Sequence, residues 1–195
     1  MTVTHTNRKG VTYYLAVSTT GTGKSKFFFT RTPTGRLVRE IPEGYAVSES
    51  VNGIVSLVRK RPPEILPAEV ASVETALKRH PKPSNYRVST MSDRIEVYER
   101  IGTDTEELVS LFGSVGLLPR QALQRLSEGS EQRARYTPVL RFTLVDKGRR
   151  MFQAQRMCFG DDRDEWIPIA SPAPISRLAR DLMPKVGTDD FFELL

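Results

Sequence analysis

Residues 10–31 read G-V-T-Y-Y-L-A-V-S-T-T-G-T-G-K-S-K-F-F-F-T-R, and this stretch organises the N-terminal part of the chain. Two runs rich in β-branched and aromatic residues, Val11–Val17 and Phe27–Arg31, flank a Gly/Thr/Ser segment that carries Lys24 and Lys26. Such runs favour strands, and glycine adopts the positive φ angles of a tight turn at little cost. The pattern predicts a β-hairpin with a basic tip.

The same stretch contains G-T-G-K-S, which matches the end of a phosphate-binding Walker A loop. The complete motif, G-x-x-x-x-G-K-[ST], would place its first glycine at position 18, where this chain has Ser18. The motif also needs a helix that begins at the lysine and holds the phosphates. Here the strand-favouring run Phe27–Phe29 follows instead. We therefore interpret G-T-G-K-S as a hairpin turn.

Positive charge is concentrated in this part of the chain. Through Pro62 there are ten Lys and Arg residues against three Glu, a net charge of +7, while the whole chain has a net charge of +6. Lys and Arg neutralise phosphates, aromatic rings stack on unpaired bases, and a two-stranded ribbon fits the major groove. The pattern predicts a nucleic-acid-binding surface that contains Lys24, Lys26, Arg31 and Arg36.

Two other interpretations of this region remain open. A small sheet must bury some of its side chains, and the aromatic residues are its best core candidates: Tyr13, Tyr14, Phe27, Phe28 and Phe29. Tyr13, Leu15 and Val17 would share one face of a strand because strand side chains alternate. The basic residues could also form a solvated surface that binds no partner.

Turn signals continue after Arg31. Thr32–Gly35 and Pro42–Gly44 predict turns, and Asn52-Gly53 lies between the β-rich runs 45–51 and 54–60. Asn-Gly is typical of a two-residue type I′ turn, which would place Val47 opposite Val58. Together these signals predict an antiparallel meander of about four or five strands.

The segment Thr4–Leu15, T-H-T-N-R-K-G-V-T-Y-Y-L, followed by T-G-K-S-K-F-F-F and I-P-E-G-Y, resembles the N-terminal module of a family of uncharacterised bacterial proteins. The resemblance covers about the first third of the chain and, more faintly, its C-terminal strands. It implies a bacterial source and assigns no catalytic residue.

The sequence predicts a second domain over residues 64–195. Arg61-Pro62-Pro63 and Pro67 form a short stiff linker, so we place a basic antiparallel β module at 1–61 and an α+β domain at 64–195. Helical spacing of Leu66, Val70, Val73 and Leu77 predicts a helix over 67–80. The predicted strands are 86–91, 94–100, 138–145, 150–159 and 165–169, and the final helix is 175–186. The expected fold class is α+β, antiparallel sheets with packed helices.

Two further helices are predicted over 103–112 and 119–128, separated by Gly113 and Gly116. They resemble a helix-turn-helix in outline, with Arg120, Gln121, Gln124 and Arg125 on the face that would read DNA. An ordinary amphipathic helix with a leucine-rich core face explains the same pattern.

Few residues of the chain are candidates for catalytic or metal-binding groups. His5 and His80 lie in different segments, which gives poor support for a Ser–His or Cys–His catalytic pair. Arg163 interrupts the acidic loop Asp161–Glu165 and would repel a metal cation there. Cys158 is the only cysteine, lies on the same strand face as the core candidates Phe152 and Ala154, and is expected to be a buried, inert thiol. We predict no catalytic, cofactor-binding or metal-binding residues and no cofactor.

These patterns give an order of hypotheses for function. The first is a non-enzymatic nucleic-acid-binding or accessory protein, the second a protein-interaction or scaffold module, and the third an enzyme. The lone cysteine, the lack of an apolar leader and the lack of an apolar run long enough for a membrane span predict a cytoplasmic location.

Overall fold

The computed structural model describes residues 1–102, 132–160 and 163–194, together with Pro119, Gln121, Ala122, Arg125 and Gly129. It has an α+β fold in which antiparallel sheets are combined with helices, as the sequence predicts. Contacts divide the chain into two compact units, residues 1–60 with 102–135 and residues 61–101 with 136–195. The proposed domain limits, 1–61 and 64–195, stay a prediction.

Six short strands form two sheets in the first unit. They are β1 (Thr4–Thr6), β2 (Thr12–Thr19), β3 (Ser25–Thr30), β4 (Arg36–Leu37), β5 (Tyr45–Glu49) and β6 (Val55–Arg59). Strand β2 is central and pairs antiparallel with β1, β3 and β4, while β5 and β6 form a sheet of their own. The arrangement is therefore more branched than the single meander that we expected.

The pairing of β4 with β2 follows from the shortness of β1. Strand β1 covers β2 only from Thr12 to Tyr14, so the same edge is free further along. Leu37 and Arg36 take that edge opposite Ala16 and Val17. Because unpaired strand edges leave backbone groups without partners, β4 completes an edge that β1 cannot reach.

The β5–β6 register differs from the expected one by a single residue. Val47 lies opposite Leu57, not Val58, and Glu49 lies opposite Val55. The turn has three residues, because Ser50 N donates to Ile54 O and Gly53 N donates to Ser50 O. Only Gly53 has a positive φ, +77°, whereas a type I′ turn needs two such residues. The prediction of a two-residue turn was wrong.

The second unit contains one larger sheet and its helices. Its strands are β7 (Tyr86–Thr90), β8 (Arg94–Ile101), β9 (Arg135–Asp146), β10 (Met151–Cys158), β11 (Glu165–Pro168) and β12 (Ala173–Pro174). Its helices are α1 (Pro67–Lys78), α2 (Ile175–Leu182) and α3 (Asp189–Phe192), with 3-10 turns at Pro83–Asn85 and Met183–Lys185. The strand order is β11-β10-β9-β8-β7, and β12 pairs with β10.

One face of this sheet packs on the helices and forms the core of the second unit. Alternate strand residues are almost fully buried there: Ile95, Val97, Leu140, Phe142, Phe152 and Ala154. They join Val73 of α1 and Leu178, Ala179 and Leu182 of α2 in one apolar cluster. The period-2 pattern of β9 and β10 thus predicts correctly which side chains face the core.

Both helices begin and end close to the predicted positions. Val73 of the expected α1 stripe is fully buried, and Val70 and Leu77 pack beside it, but Leu66 precedes the helix and is 49% exposed. Helix α2 ends at Leu182, and Pro184 continues the chain in a 3-10 turn because proline cannot donate the next helical hydrogen bond. The helices predicted over 103–112 and 119–128 lie largely outside the described residues.

Candidate nucleic-acid interface

The β2–β3 hairpin presents Lys24 and Lys26 as the sequence predicts. Thr20 N donates to Lys24 O, Gly23 N donates to Thr20 O, and Gly23 has a φ of +78° that glycine adopts readily. Strand β3 begins immediately after the turn, so no helix opens at Lys24. The hairpin interpretation of G-T-G-K-S is confirmed, and both lysine side chains are exposed.

Lys26 lies on one face of the hairpin, which we call the Phe28 face. Lys26 pairs with Ser18, Phe28 with Ala16, and Thr30 with Tyr14, and directly paired residues project to the same side of a sheet. The Phe28 side chain is 40% exposed, although Ala16 opposite it is almost fully buried. The Phe28 face therefore combines a lysine with an accessible aromatic ring.

Arg31 and Arg36 belong to the opposite face. Arg36 pairs with Val17, whose other neighbour is Phe27, and this row alternates with the Ala16 row. The Arg31 guanidinium carbon lies 5.7 Å from the centre of the Tyr13 ring, and Tyr13 shares the Val17 side of β2. The four predicted residues are thus spread over the hairpin tip and both faces of the ribbon.

The aromatic side chains divide between core and surface. Tyr13 is 7% exposed and belongs to the core, as the packing interpretation expects. Phe27 packs near Tyr45 of β5, with ring centres 6.5 Å apart, and Phe29 is half-buried. Phe28 is the exposed member of the Phe27–Phe29 run, so it is the ring best placed to meet a partner.

The four candidate cations lack acidic partners. Lys24, Lys26, Arg31 and Arg36 are all exposed, and none forms a salt bridge with another residue in the part of the chain that the structure describes. Their charge is therefore not neutralised locally.

A second basic cluster, which the sequence reasoning missed, lies in the turn between β1 and β2. Lys9 Nζ donates to the carbonyl of Ala134 at 2.7 Å. Burial, together with the nearby charges of Arg8 and Arg135, lowers the pKa of the Lys9 ammonium. Ala134 is 125 positions from Lys9 in the sequence, so no local pattern indicates this association.

Asn7 holds that turn in place. It is 5% exposed, its Nδ2 donates to the carbonyl of Gly53 at 2.6 Å, and its Oδ1 accepts from the N–H groups of Lys9 and Val11. Asn side chains often replace a backbone acceptor in a turn, so N-R-K-G carries a signal for this role that could have been recognised. The turn fixes the basic side chains beside the β5–β6 sheet.

The remaining candidate residues are distributed as follows. His5 contacts Glu49, and buried His80 donates from Nε2 to the carbonyl of Val186 at 3.0 Å.

Cys158 is half-buried, not buried as expected, because it ends β10 opposite exposed Glu165 of the short edge strand β11. Asp161 and Asp162 of the acidic loop lie outside the described residues. Within the described part, no three His, Cys, Asp or Glu side chains are grouped to hold a metal ion.

Comparisons with protein-family models, curated proteins and solved structures found no significant match to this chain. In the described residues, no helix has the length and apolar character needed to cross a membrane.

Proposed function

We propose that this chain is a non-enzymatic nucleic-acid-binding or accessory protein that contacts phosphates through the β2–β3 hairpin and the turn after it. The observation that carries the proposal is the set of four exposed cations, Lys24, Lys26, Arg31 and Arg36, that lack salt-bridge partners among the described residues. A bacterial source and a cytoplasmic location belong to the same proposal. They are supported by the family resemblance and by the lone cysteine.

The distribution of these cations suits a phosphate backbone better than a single small anion. A ribbon with positive charge at its tip and on both faces can meet phosphates on both sides when it lies in a groove. Each phosphate contact contributes mainly by releasing condensed counterions, so affinity depends on salt and little on sequence. Phe28 beside Lys26 adds a surface on which an unpaired base can stack.

The proposal is tested by fluorescence anisotropy with single-stranded and duplex DNA and RNA oligomers at several salt concentrations. We expect the intact chain to bind at low salt, and Lys24→Ala with Lys26→Ala to weaken binding to every oligomer. The slope of log affinity against log salt should decrease by about two, one for each lost phosphate contact. The unfolding free energy should change by less than about 0.5 kcal/mol, because both side chains are exposed.

The matched control is Lys147→Ala with Arg149→Ala, which removes two positive charges from the β9–β10 turn of the second unit. It should leave the salt slope unchanged if the β2–β3 hairpin is the contact surface. Absence of affinity for any oligomer at low salt would refute the proposal. An equal loss in both double variants would show that net charge, and not this hairpin, determines binding.

A further inference from the structure

A groove runs between helices α1 and α2 of the second unit. It has a volume of about 590 Å³. Most of its walls are small side chains, and its lining includes Ala68, Ala71, Thr75, Arg79, Arg180 and Pro184. We call this feature the α1–α2 groove.

The α1–α2 groove extends along the whole length of α1. Its lining residues recur every three or four positions from Ala68 to Arg79, which is one face of a helix and spans roughly 16 Å. Val73, which is fully buried, points into the core from a different face. On the groove face, Ala76 packs against the core at one side, while Ala68, Ala71, Thr75 and Arg79 remain exposed.

The lining residues carry positive charge and no negative charge. Arg79 has no salt bridge with any described residue. Arg180 Nε donates to Asp181 at 2.8 Å, but these side chains are 70% and 48% exposed, and such surface pairs are weak. Both guanidinium groups are therefore available to a carboxylate on an incoming partner.

From these observations, we propose that the α1–α2 groove binds an acidic amphipathic helix of a partner protein. Small side chains along one helix face allow the backbone of another helix to approach closely. An apolar stripe on the partner would cover the alanine methyl groups, and flanking Asp or Glu would meet Arg79 and Arg180. Small-molecule pockets usually enclose most of their ligand. In the α1–α2 groove, Ala68, Ala71, Thr75 and Pro184 are exposed to solvent, which suits a helix lying on the surface better than an enclosed small molecule.

The probe is a phage-displayed library of helical peptides with randomised surface positions, selected on the full chain. We expect the selected peptides to carry apolar residues at helical spacing together with Asp or Glu. Ala71→Trp, which fills the groove, and Arg79→Glu with Arg180→Glu should each weaken binding of a selected peptide by about tenfold or more. The conservative variant Ala71→Ser should bind like the parent, and so should Lys147→Ala with Arg149→Ala, whose positions do not line the groove.

Circular dichroism confirms that each variant is folded before its affinity is compared. The proposal is overturned if the selection yields no peptide, if the selected peptides are basic, or if groove variants bind them unchanged. It is also overturned if decanoate, a small amphiphilic carboxylate, binds with sensitivity to Ala71→Trp while no peptide is selected. Oligonucleotide affinity should be the same in Ala71→Trp and in the parent, so this proposal and the nucleic-acid proposal fail independently.

Discussion

At the scale of single residues, Asn7 and the φ angle of Gly53 explain why the β5–β6 turn has glycine at position 53. Gly53 has a φ of +77°, and a Cβ there would lie 3.0 Å from Nδ2 of Asn7. That same Nδ2 donates to the carbonyl of Gly53. Glycine is therefore required both by backbone conformation and by the close approach of a buried side chain.

Glu49 is a second residue whose chemistry links strands distant in sequence. Burial alone would raise the pKa of its carboxyl, but hydrogen bonds from the Arg8 N–H and from His5 outweigh burial and hold the pKa below its ordinary value. A carboxyl with a depressed folded-state pKa stabilises the protein above its unfolded pKa and loses that contribution as pH falls through the folded value.

We therefore expect Glu49→Gln to reduce the unfolding free energy at pH 7 by about 1 kcal/mol. The difference from the parent should shrink as pH falls below about 4.5 and disappear when the parent carboxyl is protonated. Urea unfolding followed by circular dichroism at pH 7, 5 and 3 measures this difference, and Glu43→Gln, at an exposed site, is the matched control. A constant difference across these pH values would contradict the role of the ionised carboxylate.

At the scale of elements, the start of α1 is tied to the β9–β10 turn. Glu69 is 7% exposed, and its carboxylate accepts from the N–H of Leu66 at 2.7 Å, which caps the helix. Arg150 donates to both oxygens of the same carboxylate, through Nε at 2.8 Å and through Nη2. Among the described residues other than glycine, Arg150 alone has a positive φ, +54°. The ion pair thus holds a turn conformation that is unfavourable by itself.

Arg150→Ala should destabilise the second unit by about 3 kcal/mol, because the buried Glu69 carboxylate loses its positively charged partner and keeps only the N–H of Leu66. Arg150→Gly also removes the guanidinium but relieves the positive φ, so it should recover about 1 kcal/mol of that loss. Thermal and urea unfolding of both variants measures the two effects separately. A change below about 0.5 kcal/mol in Arg150→Ala would show that the pair contributes nothing to α1, and equal values for the two variants would show that the φ angle carries no cost.

At the scale of the whole molecule, the two compact units are not continuous in sequence. Residues 102–135 belong with 1–60, so the chain passes between units near residues 60, 101 and 135. The bond from Lys9 Nζ to the carbonyl of Ala134 is one contact that joins the two segments of the first unit. We therefore expect the first unit's two segments to stay associated after cleavage of the chain near residue 60.

Limited trypsin digestion should cut first after Arg59 or Lys60, since both side chains are exposed, β6 ends at Arg59, and Pro62-Pro63 keeps the chain that follows out of regular structure. The fragment 1–60 should then elute with the remainder of the chain in gel filtration and separate from it only in denaturant. First cuts within 86–100 or 138–158 would contradict the predicted boundary. Immediate separation of the fragments would contradict the grouping of 102–135 with the N-terminal strands.

The sequence alone determined the local elements: the β2–β3 hairpin, the 86–101 hairpin, helices α1 and α2, and the core phase of β9 and β10. Each depends on turn residues or on a hydrophobic period within about fifteen positions, and such signals act before distant parts of the chain meet. The exposure of Lys24 and Lys26 followed for the same reason, because a hairpin tip cannot bury long charged side chains.

Only the tertiary structure decided which strands are neighbours and which side chains meet across long separations. It assigned β4 to the edge of β2 and placed Lys26 on the face opposite Arg36. It also joined Arg150 to Glu69 and opened the α1–α2 groove between helices about one hundred residues apart. It also brought Asn7, from the turn between β1 and β2, to the β5–β6 turn. There Asn7 donates to the carbonyl of Gly53, the one residue of that turn with a positive φ. These outcomes depend on which distant surfaces bury each other, and hydrophobic burial is non-directional, so no local pattern specifies the partner.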